Sequence, residues 1–184
     1  MAASAAWPSR HIQPFGLEID RDLSQPISAA EADELRALYS VHKLLVFRKQ
    51  ALSEERQVHV MSLLGRVLGS KGEYRELSSD GNLGAAPLCY HSDLAFTEEP
   101  FKALSLHALE VTDGQSWTAF ANGVTVVDKL PAALRQKIEG RDALTVISVT
   151  QTHRDVEFDP PTFLPQQTRP VLTPHPQTGE PILY

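Results

Sequence analysis

Residues 90–96 read YHSDLAF, and their capacity for chemistry rests on His91 and Asp93, one residue apart. In an extended segment, positions i and i+2 project to one face with side chains about 6–7 Å apart. A cation between them would take one ligand from each while Ser92 points away. An imidazole beside a hard carboxylate suits a first-row divalent ion. Leu88, Tyr90, Leu94 and Phe96 would form an apolar wall around the pair. Polar groups against such a wall are costly unless a metal or a hydrogen bond resolves them. Spacing and context leave two readings level, a metal site and a hydrogen-bonded core pair.

The pattern alone is weak. Seven histidines and ten aspartates among 184 residues give roughly 0.4 such pairs by chance. A second copy, His153-Arg154-Asp155, lies in a polar, proline-rich stretch and reads as solvated surface. Two histidines and one carboxylate on one face, with open positions opposite, is the arrangement of non-haem Fe(II) oxygenases. The His91-Asp93 pair would supply two of those three ligands.

The elements that must position the pair are legible in outline. Ser28 and Glu31 form a capping-box signature ahead of Ala32, Leu35, Leu38 and Tyr39, which predicts an amphipathic helix over 29–40. KLLVF (43–47) reads as a buried strand. Ser53, Glu54 and Glu55 open a second helix, with Met61, Leu64 and Leu68 on its buried face and Gly69 as its stop. Residues 69–87 form a long Gly- and Ser-rich loop of the functional kind. LSLHALEV (104–111) alternates as a strand. A helical pair is expected over 122–128 and 131–139, with Pro131 at a first helical position. ALTVISV (143–149) reads as a buried strand, 150–169 as loop, and the last fourteen residues as a hairpin turning at Gly179.

Composition narrows the class. The chain has 184 residues, 42% hydrophobic and 22% charged, as expected for one soluble globular domain over 1–184. A net charge of -6 and a pI near 5.6 argue against nucleic acid or an anionic membrane as partner. The single cysteine, Cys89, excludes an internal disulfide and suits a reducing cytoplasm. Neither a signal peptide nor a membrane span is apparent in the sequence.

The longer stretch YHSDLAFTEEPFKALSLHALEVTDGQSWTAFANGVTVVDKLPAALRQKIEG resembles the taurine dioxygenase (TauD/TfdA-like) family of Fe(II)- and 2-oxoglutarate-dependent oxygenases. That family shows a histidine-x-aspartate, a strand ending in valine, a glycine-rich turn with a threonine, and a helix entering Leu-Pro. Val111, Thr118 and Leu130-Pro131 fall at the matching places. GLEIDRDLSQPISAAEADELRALYSVHKLLVFRKQALSEERQVHVMSLLGRVLG is similar to the family's opening helix, its LVFR strand and its second helix. RPVLTPHPQTG is similar to its strand and His-Pro-x-Thr-Gly turn. The glycine-rich turn departs from the usual Gly-Gly-Asp-Thr: it reads Gly114-Gln115-Ser116-Trp117-Thr118, one residue longer.

The resemblance implies an α+β fold with a double-stranded β-helix (jelly-roll) core and flanking helices, incomplete at the C-terminus. It implies that His91 and Asp93 bind Fe(II), that Thr118 contacts a carboxylate of the co-substrate 2-oxoglutarate, and that the 69–87 loop is a substrate lid. Tyr74, Arg75 and Asn82 could then touch substrate. The family's second iron-binding histidine and its 2-oxoglutarate arginine would lie past Tyr184. His175 matches the turn histidine, which is not a ligand, and Arg169 is not at the position of the cofactor arginine. The implied activity is oxidation of a small molecule with release of succinate and CO2, not expected of this chain alone. A homo-oligomer stays open. Two other classes compete. One is a non-catalytic jelly-roll module for binding or interaction. The other is a zinc hydrolase using His91, Asp93 and a further histidine such as His107, which lacks supporting spacing.

Overall fold

The computed structural model describes residues 7–67, 78, 90–99, 101–114, 117–147, 163–176 and 178–184. Two compact units divide the chain, Met1–Leu88 with Ala103–Trp117, and Cys89–Lys102 with Thr118–Tyr184.

The first unit is a three-stranded sheet with two helices. Strands β1 (Ser9–His11) and β2 (Leu17–Ile19) pair antiparallel, and β2 pairs parallel with β3 (Leu45–Phe47). The parallel pairing needs a crossover, and helix α1 (Ala29–His42) lies between these strands in sequence. The Ser28–Glu31 capping box is present as expected, with both reciprocal hydrogen bonds made. Lys43 ends the helix in the left-handed region, its N–H donating to Tyr39 O at 2.9 Å. Helix α2 (Glu54–Ser62) starts at Ser53, whose hydroxyl accepts from the Arg56 N–H. It stops earlier than expected, because the chain turns at 63–65. Val60 carries the buried contact, with Leu63 and Leu64 packed at its edge. Trp7, Leu17, Ile19, Leu23, Leu35 and Val60 form the core, and Trp7 meets Phe47 edge to face at 6.2 Å. The periodicity did not announce β1 and β2, which are three residues each.

The 104–111 segment corrects the sequence reading. It is irregular, bends at 109–110 and pairs with no described strand, and its alternation points the other way. Leu104, Leu106, Leu109 and Val111 are exposed, while Ser105 and His107 are half-buried. Polar bonds set this sense. Gln57 Nε2 donates to Ser105 Oγ at 2.9 Å, and His107 Nε2 lies 3.3 Å from Gln50 O.

The second unit holds α3 (Gly123–Lys129), α4 (Ala132–Ile138), and two antiparallel pairs. One joins β4 (Asp142–Val146) to β5 (Gln166–Pro170), and the other joins β6 (Leu172–Pro174) to β7 (Pro181–Leu183). The Asn122 side chain caps α3 by accepting from the Val124 and Thr125 N–H groups. Pro131 sits at the N-cap of α4, one position before the expected one. Gly123 lies where α3 meets β7: a Cβ there would come within 3.2 Å of Leu183 O. Gly179, at φ +73°, turns the β6–β7 hairpin as expected. Strand β4 is mostly exposed rather than buried, and β5 occupies part of the segment read as loop.

Residues 69–77 and 79–87 of the proposed lid lie outside the described residues, and so do Tyr74, Arg75, Asn82, Cys89 and His153 with Asp155. Among the described residues, no helix is long and apolar enough to cross a membrane.

Candidate metal centre

His91 and Asp93 do converge. The His91 Nε2 atom lies 3.2 Å from Asp93 Oδ1. The backbone route differs from the extended one expected. His91 and Ser92 are irregular, and the chain enters a turn at Asp93 that continues through Phe96. Two hydrogen bonds close it: the Ala95 N–H donates to Ser92 O at 3.3 Å, and the Thr97 N–H donates to Leu94 O at 2.9 Å. The Thr97 hydroxyl also donates to Leu94 O, at 2.8 Å. Leu94 sits in the left-handed region at φ +56°, an uncommon conformation for a branched apolar side chain. Of the apolar wall expected around the pair, Leu88 lies outside the described residues, and Leu94 and Phe96 are half-buried. The side chains of His91 and Asp93 are 56% and 41% exposed, and Tyr90 is exposed too.

The donor separation bears on what the pair can hold. Two ligand atoms each about 2.1 Å from an ion and at right angles are about 3.0 Å apart. The observed 3.2 Å fits two neighbouring positions of such a coordination sphere. It is equally the reach of an imidazole N–H donating to a carboxylate. Among the described residues, no cluster of three or more His, Cys, Asp or Glu could complete a site. The residues therefore fit a metal as two of its ligands.

Thr118 is exposed, at the start of the irregular stretch before α3, and bonds to neither His91 nor Asp93. Trp117 before it is 82% exposed. His107 is engaged with Gln50 O. His175 belongs to the hairpin turn: its Nδ1 accepts from the Thr178 N–H at 3.2 Å, and its carbonyl accepts from the Gly179 N–H.

Sequence reasoning missed Arg169. The residue was read as loop but lies in β5, opposite Ala143 of β4. Its guanidinium donates to Ala95 O (2.6 Å), Thr97 O and Glu98 O (3.0 Å), and lies 5.4 Å from the centre of the Tyr184 ring. These partners are 71 to 74 residues away in sequence, so no local pattern could have disclosed them.

Residues 8–184 match the family described as taurine catabolism dioxygenase TauD, TfdA. The alpha-ketoglutarate-dependent 2,4-dichlorophenoxyacetate dioxygenase of Cupriavidus pinatubonensis (strain JMP 134 / LMG 1197) is 25% identical over 146 residues, which are 66% of this chain and 51% of that protein. The match thus spans about half of the relative's length. The crystal structure of AAD-2 in complex with Mn(II) and N-oxalylglycine is similar at a TM-score of 0.63 and 20% identity, over 97% of this chain and 68% of that one. A taurine dioxygenase from Burkholderia xenovorans is similar at a TM-score of 0.58 and 22% identity, over 98% of this chain and 63% of that one. At these identities the two structures speak to fold, and the fold is the α+β, jelly-roll type that the resemblance implied.

Proposed function

This chain belongs to the taurine catabolism dioxygenase TauD, TfdA family, and we propose that it is the part of an Fe(II)- and 2-oxoglutarate-dependent dioxygenase that carries His91 and Asp93 as iron ligands. The observation that carries the reading is the 3.2 Å approach of His91 Nε2 to Asp93 Oδ1, two ligand atoms of the right chemistry in a chain of this family. When bound, the metal with its co-substrate would supply the oxidation with dioxygen as oxidant, one oxygen atom going into succinate as 2-oxoglutarate loses CO2 and the other into a small-molecule substrate.

The chain's own residues hold and orient. His91 would offer its Nε2 atom and Asp93 a carboxylate oxygen as ligands to the cation. Thr118 is assigned a hydrogen bond from its hydroxyl to a carboxylate of 2-oxoglutarate. The 69–87 segment, directly before the ligand pair in sequence, is assigned to covering the substrate and excluding water. A single cysteine and an Fe(II) centre both suit a reducing compartment such as the cytoplasm. The competing reading is a binding module without catalysis, favoured by the lack of a third ligand among the described residues.

Anaerobic titration with Fe(II) and then 2-oxoglutarate, followed by absorption, tests the proposal. A metal-to-ligand charge-transfer band is expected in the parent chain and is lost in both His91→Ala and Asp93→Ala. A band that survives both substitutions, or a folded parent that binds no iron, would overturn it.

A further inference from the structure

We propose that Arg169 is a positioning residue for the metal-binding pair, clamping the turn that follows His91 and Asp93. The inference rests on the metal reading above. Three backbone carbonyls of one short segment, those of Ala95, Thr97 and Glu98, converge on a single guanidinium. A planar fork of five N–H donors suits this task, since its geometry is rigid and its charge is permanent. The half-buried guanidinium is held in turn from the other side. Arg169 is fixed in β5 by pairing with β4, and the Tyr184 ring lies beside it, so the clamp has a firm base.

The turn needs such a clamp. Its two backbone hydrogen bonds are an i+3 pair, one of them long at 3.3 Å, and Leu94 holds an unfavourable positive φ. Without the guanidinium the carbonyls of Ala95, Thr97 and Glu98 would lose the hydrogen bonds it donates, and the direction of the chain leaving Asp93 would loosen. The Asp93 carboxylate begins this turn, two residues before the first clamped carbonyl. Rotation of the turn would therefore change the separation of Oδ1 from His91 Nε2. Arg169 acts as an outer support that touches no metal, and loss of such supports commonly weakens metal affinity by about 10- to 100-fold.

The test is Mn(II) binding to the 184-residue chain, read by electron paramagnetic resonance, with spin-echo modulation from a coordinated imidazole nitrogen as a second signal. His91→Ala and Asp93→Ala are run beside Arg169→Gln and Arg169→Lys, with far-UV circular dichroism to confirm folding. Arg169→Gln is expected to bind about tenfold more weakly and to lose much of the imidazole modulation. Arg169→Lys keeps the charge and part of the donor set, and is expected to bind about threefold more weakly than the parent. Amide exchange at Ala95 and Thr97 rises in both. Should Arg169→Gln not fold, Arg169→Lys carries the test. Binding that depends on His91 and Asp93 but is indifferent to the Arg169 substitutions overturns the role of Arg169 alone. No Mn(II) binding by the parent, or binding that ignores His91→Ala and Asp93→Ala, overturns the metal reading and the role of Arg169 with it.

Discussion

The two units of the chain bury their apolar residues very differently. The first closes a core in which Trp7, Leu17, Ile19, Leu23, Ala32, Leu35 and Val60 are all buried, with a half-buried ring of Leu38, Leu45, Phe47, Leu52 and others around them. The second, which carries His91 and Asp93, has Val127 as the one buried side chain among its described residues. Its Leu144 is 50% exposed in a strand whose composition suggested burial. The first unit is therefore held by hydrophobic burial, each large side chain contributing about 1.5–3 kcal/mol. In the second, directed hydrogen bonds carry more of the load: the β4–β5 ladder, the Asn122 cap and the Arg169 fork. A two-stranded sheet is marginal by itself in water. Among the described residues, the candidate metal pair thus sits in the unit with fewer buried apolar side chains, where single polar anchors count for most.

That contrast can be broken by experiment. Leu35→Ala, at 2% exposure in the first unit, is expected to cost about 3 kcal/mol by leaving a cavity in the packed core. Leu144→Ala, on the exposed face of β4, should cost less than about 1 kcal/mol. Chemical denaturation of both variants measures the gap, and equal costs would remove the distinction. Val127→Ala is the matching probe of the second unit. It removes the contact of α3 with its surroundings at 1% exposure, and about 2 kcal/mol is expected. A value near zero would mean that α3 is held by its cap and not by packing.

A smaller effect sharpens the comparison at the surface of the first unit. Ser28→Ala removes the side-chain half of the α1 capping box and should cost about 1 kcal/mol. Its partner Glu31 has a carboxyl lowered to about 2, chiefly by the Ser28 backbone N–H it accepts from, then by the Ser28 side chain, Trp7 and Arg21. A depressed carboxyl stabilises the fold above its ordinary value of 4.5, and that contribution is lost as pH falls from 4.5 towards 2. Glu31→Gln is therefore expected to flatten the acid limb of the stability profile in that window and to leave it unchanged in slope above it. Thermal melts between pH 2 and 7 would show whether it does.

What could be read ahead of the structure follows from range. The Ser28–Glu31 box and the Ser53 and Asn122 starts are local events, decided by side chains bonding backbone within three residues, and the Gly179 hairpin is local too, decided by a φ of +73° that glycine adopts readily. These were legible. The 104–107 stretch was not, because alternation states that two faces differ without stating which one turns inward. Gln50 and Gln57, some fifty residues earlier, decided that by bonding His107 and Ser105. The early stop of α2 came from a turn at 63–65 that the apolar spacing of Leu64 concealed.

For the candidate site the division is equally plain. The amino-acid order by itself determined that His91 and Asp93 would lie one residue apart, with donor atoms suited to a divalent ion, because ligand chemistry is a property of side-chain type. Only the tertiary structure decided that their donors meet at 3.2 Å from a turn and not from a strand, and that an arginine in β5 holds that turn through three carbonyls. Such contacts depend on which distant segments the fold brings together, and that information resides in the packing of the whole unit rather than in any window of its sequence.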